Sequence, residues 1–284
     1  MRRRPVMLQP FTQSRPAMFF DAVIFDMDGV ITDTASLHAA AWKSMFDGFL
    51  AAHAARTGTS FLPFTKVDYL AYVDGRPRYD GVRCFLASRD IVLADGDPAG
   101  AQGYETVCGL GNMKDEAFSK ALDTEGVTLF ASTMAFIEAL RARGVGLGVA
   151  TSSKNGMKIL EKAGVTGLFA ARVDGVAAAE LGLQGKPAPD IFAIACERLG
   201  VSRHRAVVVE DAVSGVEAGS RGRFGLTIGI AREGNSDELK RQGADMVVRD
   251  LSEITLAEID HWFEHFVRTR PGDPSRLHPD SIPS

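Results

Sequence analysis

Cysteine is scarce in this 284-residue sequence, with Cys84, Cys108 and Cys196 far apart and odd in number. No two of them form a C-x-x-C pair, which excludes a cysteine zinc site and a disulfide framework. Reduced, partly buried thiols in a cytoplasmic protein are expected instead. A basic excess is also missing: 32 Lys and Arg stand against 36 Asp and Glu, a formal charge of -4. Nucleic-acid binders rest on a basic face, so no nucleic-acid partner is expected. No apolar run approaches the ~20 residues that a bilayer span needs, so no membrane partner is expected either. Arg2-Arg3-Arg4 opens the chain, but Pro5, Pro10 and Pro16 interrupt the stretch after it, and no apolar signal-peptide core results. The bulk composition is ordinary for a globular protein: 45% hydrophobic and 24% charged residues, with no internal repeat.

Short apolar runs alternate with helical stretches, the pattern of an α/β fold with a parallel sheet covered by helices. Strands are expected at 21–25, 145–150, 205–209, 226–230 and 246–248, with a weaker one at 172–174. Amphipathic helices are expected at 133–143, 157–163, 191–199 and 214–220. Gly144, Gly146 and Gly148 fall before and inside a strand, not after one, so a dinucleotide loop is a weak reading of them. The stretch 34–125 has no β-rich run and carries helical patterns at 37–55, 67–71, 82–88 and 113–122. It is expected to be a helical cap inserted into a core of 18–33 and 126–269. Residues 1–17 are expected to be a disordered arm, with Met18 an alternative start, and 270–284 a loose tail.

Ligands of open α/β sheets bind at the carboxyl ends of the strands. The first strand ends in Asp26-Met27-Asp28-Gly29. Two carboxylates directly after a buried strand are costly unless something uses their charge. An acidic loop capping the next helix would use the same residues. The second strand ends in Thr151-Ser152-Ser153-Lys154-Asn155, hydroxyls and amides that suit a phosphate or a simple N-cap. Gly185-Lys186-Pro187-Ala188-Pro189-Asp190 sets a lysine in a proline-fixed loop, with Asp190 a candidate helix cap. Glu210 and Asp211 follow the next β-branched run; such hard oxygen donors suit magnesium, or else an acidic helix start. Singly each is ambiguous. Together they supply the acid, hydroxyl, cation and metal ligands of phosphoryl transfer.

With those four motifs in order, the sequence resembles the haloacid dehalogenase superfamily, and within it the β-phosphoglucomutase-like branch. The resemblance implies a Rossmann-like core with a helical cap, in which Asp26 is the nucleophile and Asp28 the general acid/base. It gives Thr151 and Lys186 to the transferring phosphoryl group. Magnesium falls to Asp26, the Asp28 backbone carbonyl, Glu210 and Asp211. His38, four residues before Trp42, is implied to position Asp28. Ser152, Ser153, Lys154 and Asn155 resemble the segment that receives the distal phosphate and sugar. Gly75, Arg76 and Arg78 resemble the substrate-reading loop, and Lys114 a second cap cation. Asp74 stands where related mutases often carry a lysine, and Met113 replaces a basic residue. The implied activity is a monomeric mutase acting on a small sugar phosphate; a magnesium-dependent sugar-phosphate phosphatase is the alternative, and a non-catalytic sensor ranks last. Trp42, Phe46 and Phe49 are expected in the cap core. His53, His204, His261, His265 and His278 show no ligand spacing and are expected at the surface.

Overall fold

The structure, a computed structural model, describes residues 18–232 and 234–269, with side chains described as far as 265. The expected N-terminal arm, the C-terminal tail and His278 lie outside the described residues. Six strands form the sheet: β1 (Ala22–Phe25), β2 (Gly146–Ala150), β3 (Ala171–Val173), β4 (Ala206–Glu210), β5 (Leu226–Ile230) and β6 (Met246–Val248). Their spatial order is β3-β2-β1-β4-β5-β6, and every neighbouring pair is parallel.

Between β1 and β2 the chain forms α1 (Ala35–Thr57), α2 (Lys66–Asp68) running into a π-helical turn (Tyr69–Val73), α3 (Arg78–Ala87) and α4 (Val107–Glu125). One apolar cluster lies wholly within this segment, with Trp42, Phe46 and Phe49 among its buried members, as expected.

All four residues of β1 are fully buried, as expected for a central parallel strand covered on both faces. Its side chains alternate between two further cores. Val23 and Phe25 join one on the side of α5 (Ala131–Ala142) and α6 (Gly156–Lys162). Farther along the chain come α7 (Gly175–Glu180), α8 (Asp190–Leu199), α9 (Val213–Arg221), α10 (Ser236–Arg241) and α11 (Leu256–Thr269). Of these, α11 packs into the same core through Ile259 and Phe263. Ala22 and Ile24 join the other core with α8 and α9. Burial of one phenylalanine such as Phe25 stabilises by about 1.5–3 kcal/mol.

The sheet-side ends of α1 and α4 behave differently from the rest of the inserted segment: Leu37, Ala41, Phe118 and Leu122 pack into the core that holds Phe25. The connection after β1 leads to β2 on one side, whereas that after β4 leads to β5 on the other. The crevice at such a switch point lies at the carboxyl ends of β1 and β4. No helix among the described residues is long and apolar enough to cross a membrane.

Candidate active site

Registry sets the site. Phe25 pairs with Val149 of β2 and Val209 of β4, so the residues just beyond each emerge at one level of the sheet edge. Asp26, Asp28, Thr151, Lys186 and Asp211 line a single cleft there, and Glu210 is fully buried behind it. From the helical segment, His38, Gly75, Arg76, Arg78 and Lys114 line the same cleft, opposite Ser152, Ser153, Lys154 and Asn155. Every site residue singled out from the sequence is therefore at or directly behind one cleft.

Lys186 is 2% exposed, and its ammonium donates to both Asp26 Oδ1 and Glu210 Oε1. The other Glu210 oxygen accepts the Ala212 N–H at 2.8 Å. Asp26, Glu210 and Asp211 bring one carboxylate oxygen each within 4.8 Å of one another. Burial raises the Asp26 carboxyl well above the ordinary range; Glu210 and Asp28 push it the same way, and Lys186 opposes them. Burial likewise raises Asp211, helped by Asp74, Glu210 and Asp26. One lysine cannot balance this much negative charge. The under-compensated trio of hard oxygen donors fits a small divalent cation such as magnesium.

Two glycines make room for these acids. Gly29 has φ +83°, and a Cβ there would lie 1.8 Å from Asp211 Oδ2. Gly215 in α9 faces Glu210, and its Cβ would lie 1.8 Å from Oε1.

Asp28 is held by a separate set. Thr34 stands at the N-cap of α1 but makes no side-chain cap bond, and its hydroxyl donates to Asp28 Oδ1 instead. His38 Nε2 lies 3.3 Å from the same oxygen, off the line of a hydrogen bond, and burial with Lys114 beside it lowers the imidazole below its ordinary value. Lys114 Nζ lies 2.6 Å from His38 Nδ1, while the His38 ring stacks on Phe118. Burial raises the Asp28 carboxyl, yet His38, Thr34 and Lys114 outweigh it and hold the group below its ordinary value. Burial, with Arg78 nearby, brings Lys114 down to about 7. Two neighbouring carboxylates thus sit in opposite environments, Asp26 raised and Asp28 lowered.

The loop after the π-helical turn meets the strand-end segments directly. Ser152 Oγ donates to the Gly75 carbonyl at 2.8 Å, and Ser214 Oγ to the Asp74 carbonyl at 3.0 Å. A Cβ on Gly75 would lie 2.5 Å from Ser214 Oγ, so only glycine permits this approach. Arg78 Nη2 pairs with Asp115 Oδ1 at 2.6 Å, and the Asn155 amide donates to that same oxygen at 2.7 Å. Trp42 is 4% exposed and stacks on Phe46, yet its edge also lines the cleft, where Lys114 lies 5.2 Å from the ring.

A family model described as haloacid dehalogenase-like hydrolase matches residues 20–222. The chain belongs to this family. Among relatives of this haloacid dehalogenase-like chain, β-phosphoglucomutase of Mycobacterium bovis is 48% identical over 237 residues, covering 82% of this chain and 90% of the relative. Hexitol phosphatase A of Escherichia coli is 25% identical over 236 residues, covering 83% and 93%. The crystal structure of β-phosphoglucomutase from Clostridium difficile is similar with a TM-score of 0.68 at 20% identity, covering 88% and 99%, which shows the shared fold.

Sequence reasoning missed three residues on this haloacid dehalogenase scaffold. Thr34 and Asp115 emerge only from their contacts with Asp28 and Arg78. Arg232, after β5, donates to the Gly29 carbonyl at 2.7 Å and to Asp250 at 3.2 Å, bracing the Asp26–Gly29 turn from behind. Asp190 proves structural: it opens α8 and accepts the Gln184 N–H. The surface placement of His204, His261 and His265 is borne out, whereas His53 is half-buried between Phe49 and Phe61. The absence of ligand spacing is not borne out, because His261 and His265 are one helical turn apart with Glu264 between them.

Proposed function

We propose that this enzyme is a β-phosphoglucomutase, interconverting β-D-glucose 1-phosphate and glucose 6-phosphate through an aspartyl phosphate and a bisphosphate. Asp26 is the group that carries the phosphoryl. Asp28 takes the proton from the sugar 6-hydroxyl as that oxygen accepts the phosphoryl group from Asp26. After the bisphosphate turns over in the cleft, Asp26 accepts the 1-phosphoryl, Asp28 returns its proton to the departing O1, and glucose 6-phosphate leaves. His38 positions Asp28, with Thr34 on the same carboxylate oxygen. Lys186 and Thr151 hold the phosphoryl in transit, and Arg76, Arg78, Lys114 and the 152–155 segment receive the distal phosphate and sugar. Magnesium, held by Asp26, the Asp28 backbone carbonyl, Glu210 and Asp211, would supply positive charge to the transferring phosphoryl oxygens.

The observation that carries the mutase reading is the closed cap. Ser152 and Ser214 bind the backbone of the cap loop and hold it over the cleft, an arrangement that favours a bound sugar over water as the acceptor. The relative at 48% identity supports the same reading. One observation favours phosphatase action as a second reading: Asp74 lines the cleft beside Asp211, adding negative charge where a phosphate would dock. The free thiols of Cys84, Cys108 and Cys196 support a cytoplasmic location.

The test supplies β-glucose 1-phosphate, magnesium and a trace of glucose 1,6-bisphosphate. Glucose 6-phosphate should form without phosphate release; stoichiometric phosphate release rejects the mutase. An Asp26→Asn variant with full turnover would sink the nucleophile assignment.

A further inference from the structure

Away from the cleft, the described residues bring together one other set of metal-type donors. His261, Glu264 and His265 on α11 each place one ligand atom within 4.8 Å of the others. Their spacing, i, i+3 and i+4, puts all three on one helix face. The run His261-Trp262-Phe263-Glu264-His265 has the H-x-x-E-H spacing, which in helical zinc sites supplies the two imidazoles from one helix face. The two imidazole rings already lie close, with centroids 3.9 Å apart.

The His265 tautomer follows from a hydrogen bond. Its Nδ1 lies 3.0 Å from the His261 backbone carbonyl, which can only accept. Nδ1 therefore carries the proton, and the lone pair resides on Nε2. A ring N–H given to a backbone carbonyl is the outer contact that orients most metal-bound histidines.

The scaffold beneath is fixed. Ile259 and Phe263 are fully buried, Phe263 stacks on Phe20, and the Trp262 indole donates to the Gly225 carbonyl at 3.0 Å. Those anchors turn the 261–264–265 face outward, with His261 and His265 exposed and Glu264 half-buried.

We propose that His261, Glu264 and His265 form a second metal site, for zinc or a neighbouring late first-row divalent ion. Two imidazoles and one carboxylate suit such borderline ions. The Asp26, Glu210 and Asp211 set offers oxygen alone and suits magnesium, so the two sites select by chemistry. Three protein donors leave a fourth position to water. Because the ligands belong to the folded helix, bound zinc also stabilises the native state by mass action.

The test uses the full chain without an affinity tag, in saturating magnesium, titrated with zinc chloride by calorimetry. One zinc per chain is expected. His261→Gln and His265→Gln should each weaken binding roughly tenfold or more while magnesium-supported turnover is unchanged. Both substitutions are at exposed positions, so the fold should persist, and circular dichroism verifies it. With copper(II) as the probe, electron paramagnetic resonance should show hyperfine coupling to two imidazole nitrogens, reduced to one in either variant. No zinc uptake, or uptake that both substitutions leave intact, overturns the proposal.

Discussion

Replacing Gly215 with alanine sets two opposed effects against each other. Gly215 lies inside α9, where alanine is favoured over glycine by about 1 kcal/mol on helix propensity alone. The new Cβ, however, would stand 1.8 Å from Glu210 Oε1 and 2.0 Å from its carboxyl carbon. Glu210 is 0% exposed and tied at both oxygens, to Lys186 and to the Ala212 N–H, so it has no free space to enter. Breaking a buried ion pair costs about 3–5 kcal/mol. Propensity recovers only a small part, leaving a net loss of about 2–4 kcal/mol. In a protein of this size that lowers Tm by roughly 5–15 °C, measurable by thermal or urea unfolding. Turnover should fall by roughly 100-fold, because Lys186 loses a partner and the carboxylate trio loses a member. A Tm equal to or above that of the parent, with turnover retained, would refute the described placement of Glu210.

Other perturbations probe the cap, the turn and the acid limit. The double variant Ser152→Ala, Ser214→Ala removes two hydrogen bonds worth about 0.5–1.5 kcal/mol each, so phosphate released per glucose 6-phosphate formed should rise; an unchanged ratio tells against cap closure as the barrier to water. Arg232→Gln frees the Gly29 carbonyl and should cut kcat roughly tenfold at unchanged KM while raising the magnesium needed for half-saturation. A fall in Tm with no change in magnesium dependence would reduce Arg232 to a purely structural part. Burial raises the Asp250 carboxyl, but hydrogen bonds from Ser252, Ser132 and Arg232 outweigh it and hold the group far below its usual range. With its folded value depressed, Asp250 contributes stability above about pH 4 that is lost as pH falls through that folded value. Asp250→Asn should therefore destabilise at pH 7 and converge with the parent in strong acid, followed by urea unfolding across pH; a pH-independent difference would contradict the assignment.

The sheet was legible because a doubly covered parallel strand is a continuous apolar run, and Val207-Val208-Val209 has no other economical fate. The chemistry at its edge was legible for a related reason, since charge directly after such a run needs a purpose. Contacts between distant residues carried no such signal. His38 and Lys114 are 76 positions apart, and their contact exists only because α1 and α4 lie side by side. Thr34 looks like an ordinary helix cap until its hydroxyl is seen to favour Asp28. The expected helix at 67–71 becomes α2 plus a π-helical turn, a change of pitch that apolar spacing does not encode. The H-x-x-E-H spacing of His261, Glu264 and His265 stands in the sequence too, and the turn of α11 is what makes it a common face.

Ser152 and Ser214 grip the cap by the backbone carbonyls of Gly75 and Asp74, not by its side chains. Every amino acid presents the same carbonyl, so the latch is indifferent to which residue stands at position 74. Selectivity can drift there over generations without loosening closure, while Gly75 alone must stay small. Descendants of one ancestor could thus exchange one phosphorylated compound for another through a few loop substitutions, with the bond-breaking apparatus untouched.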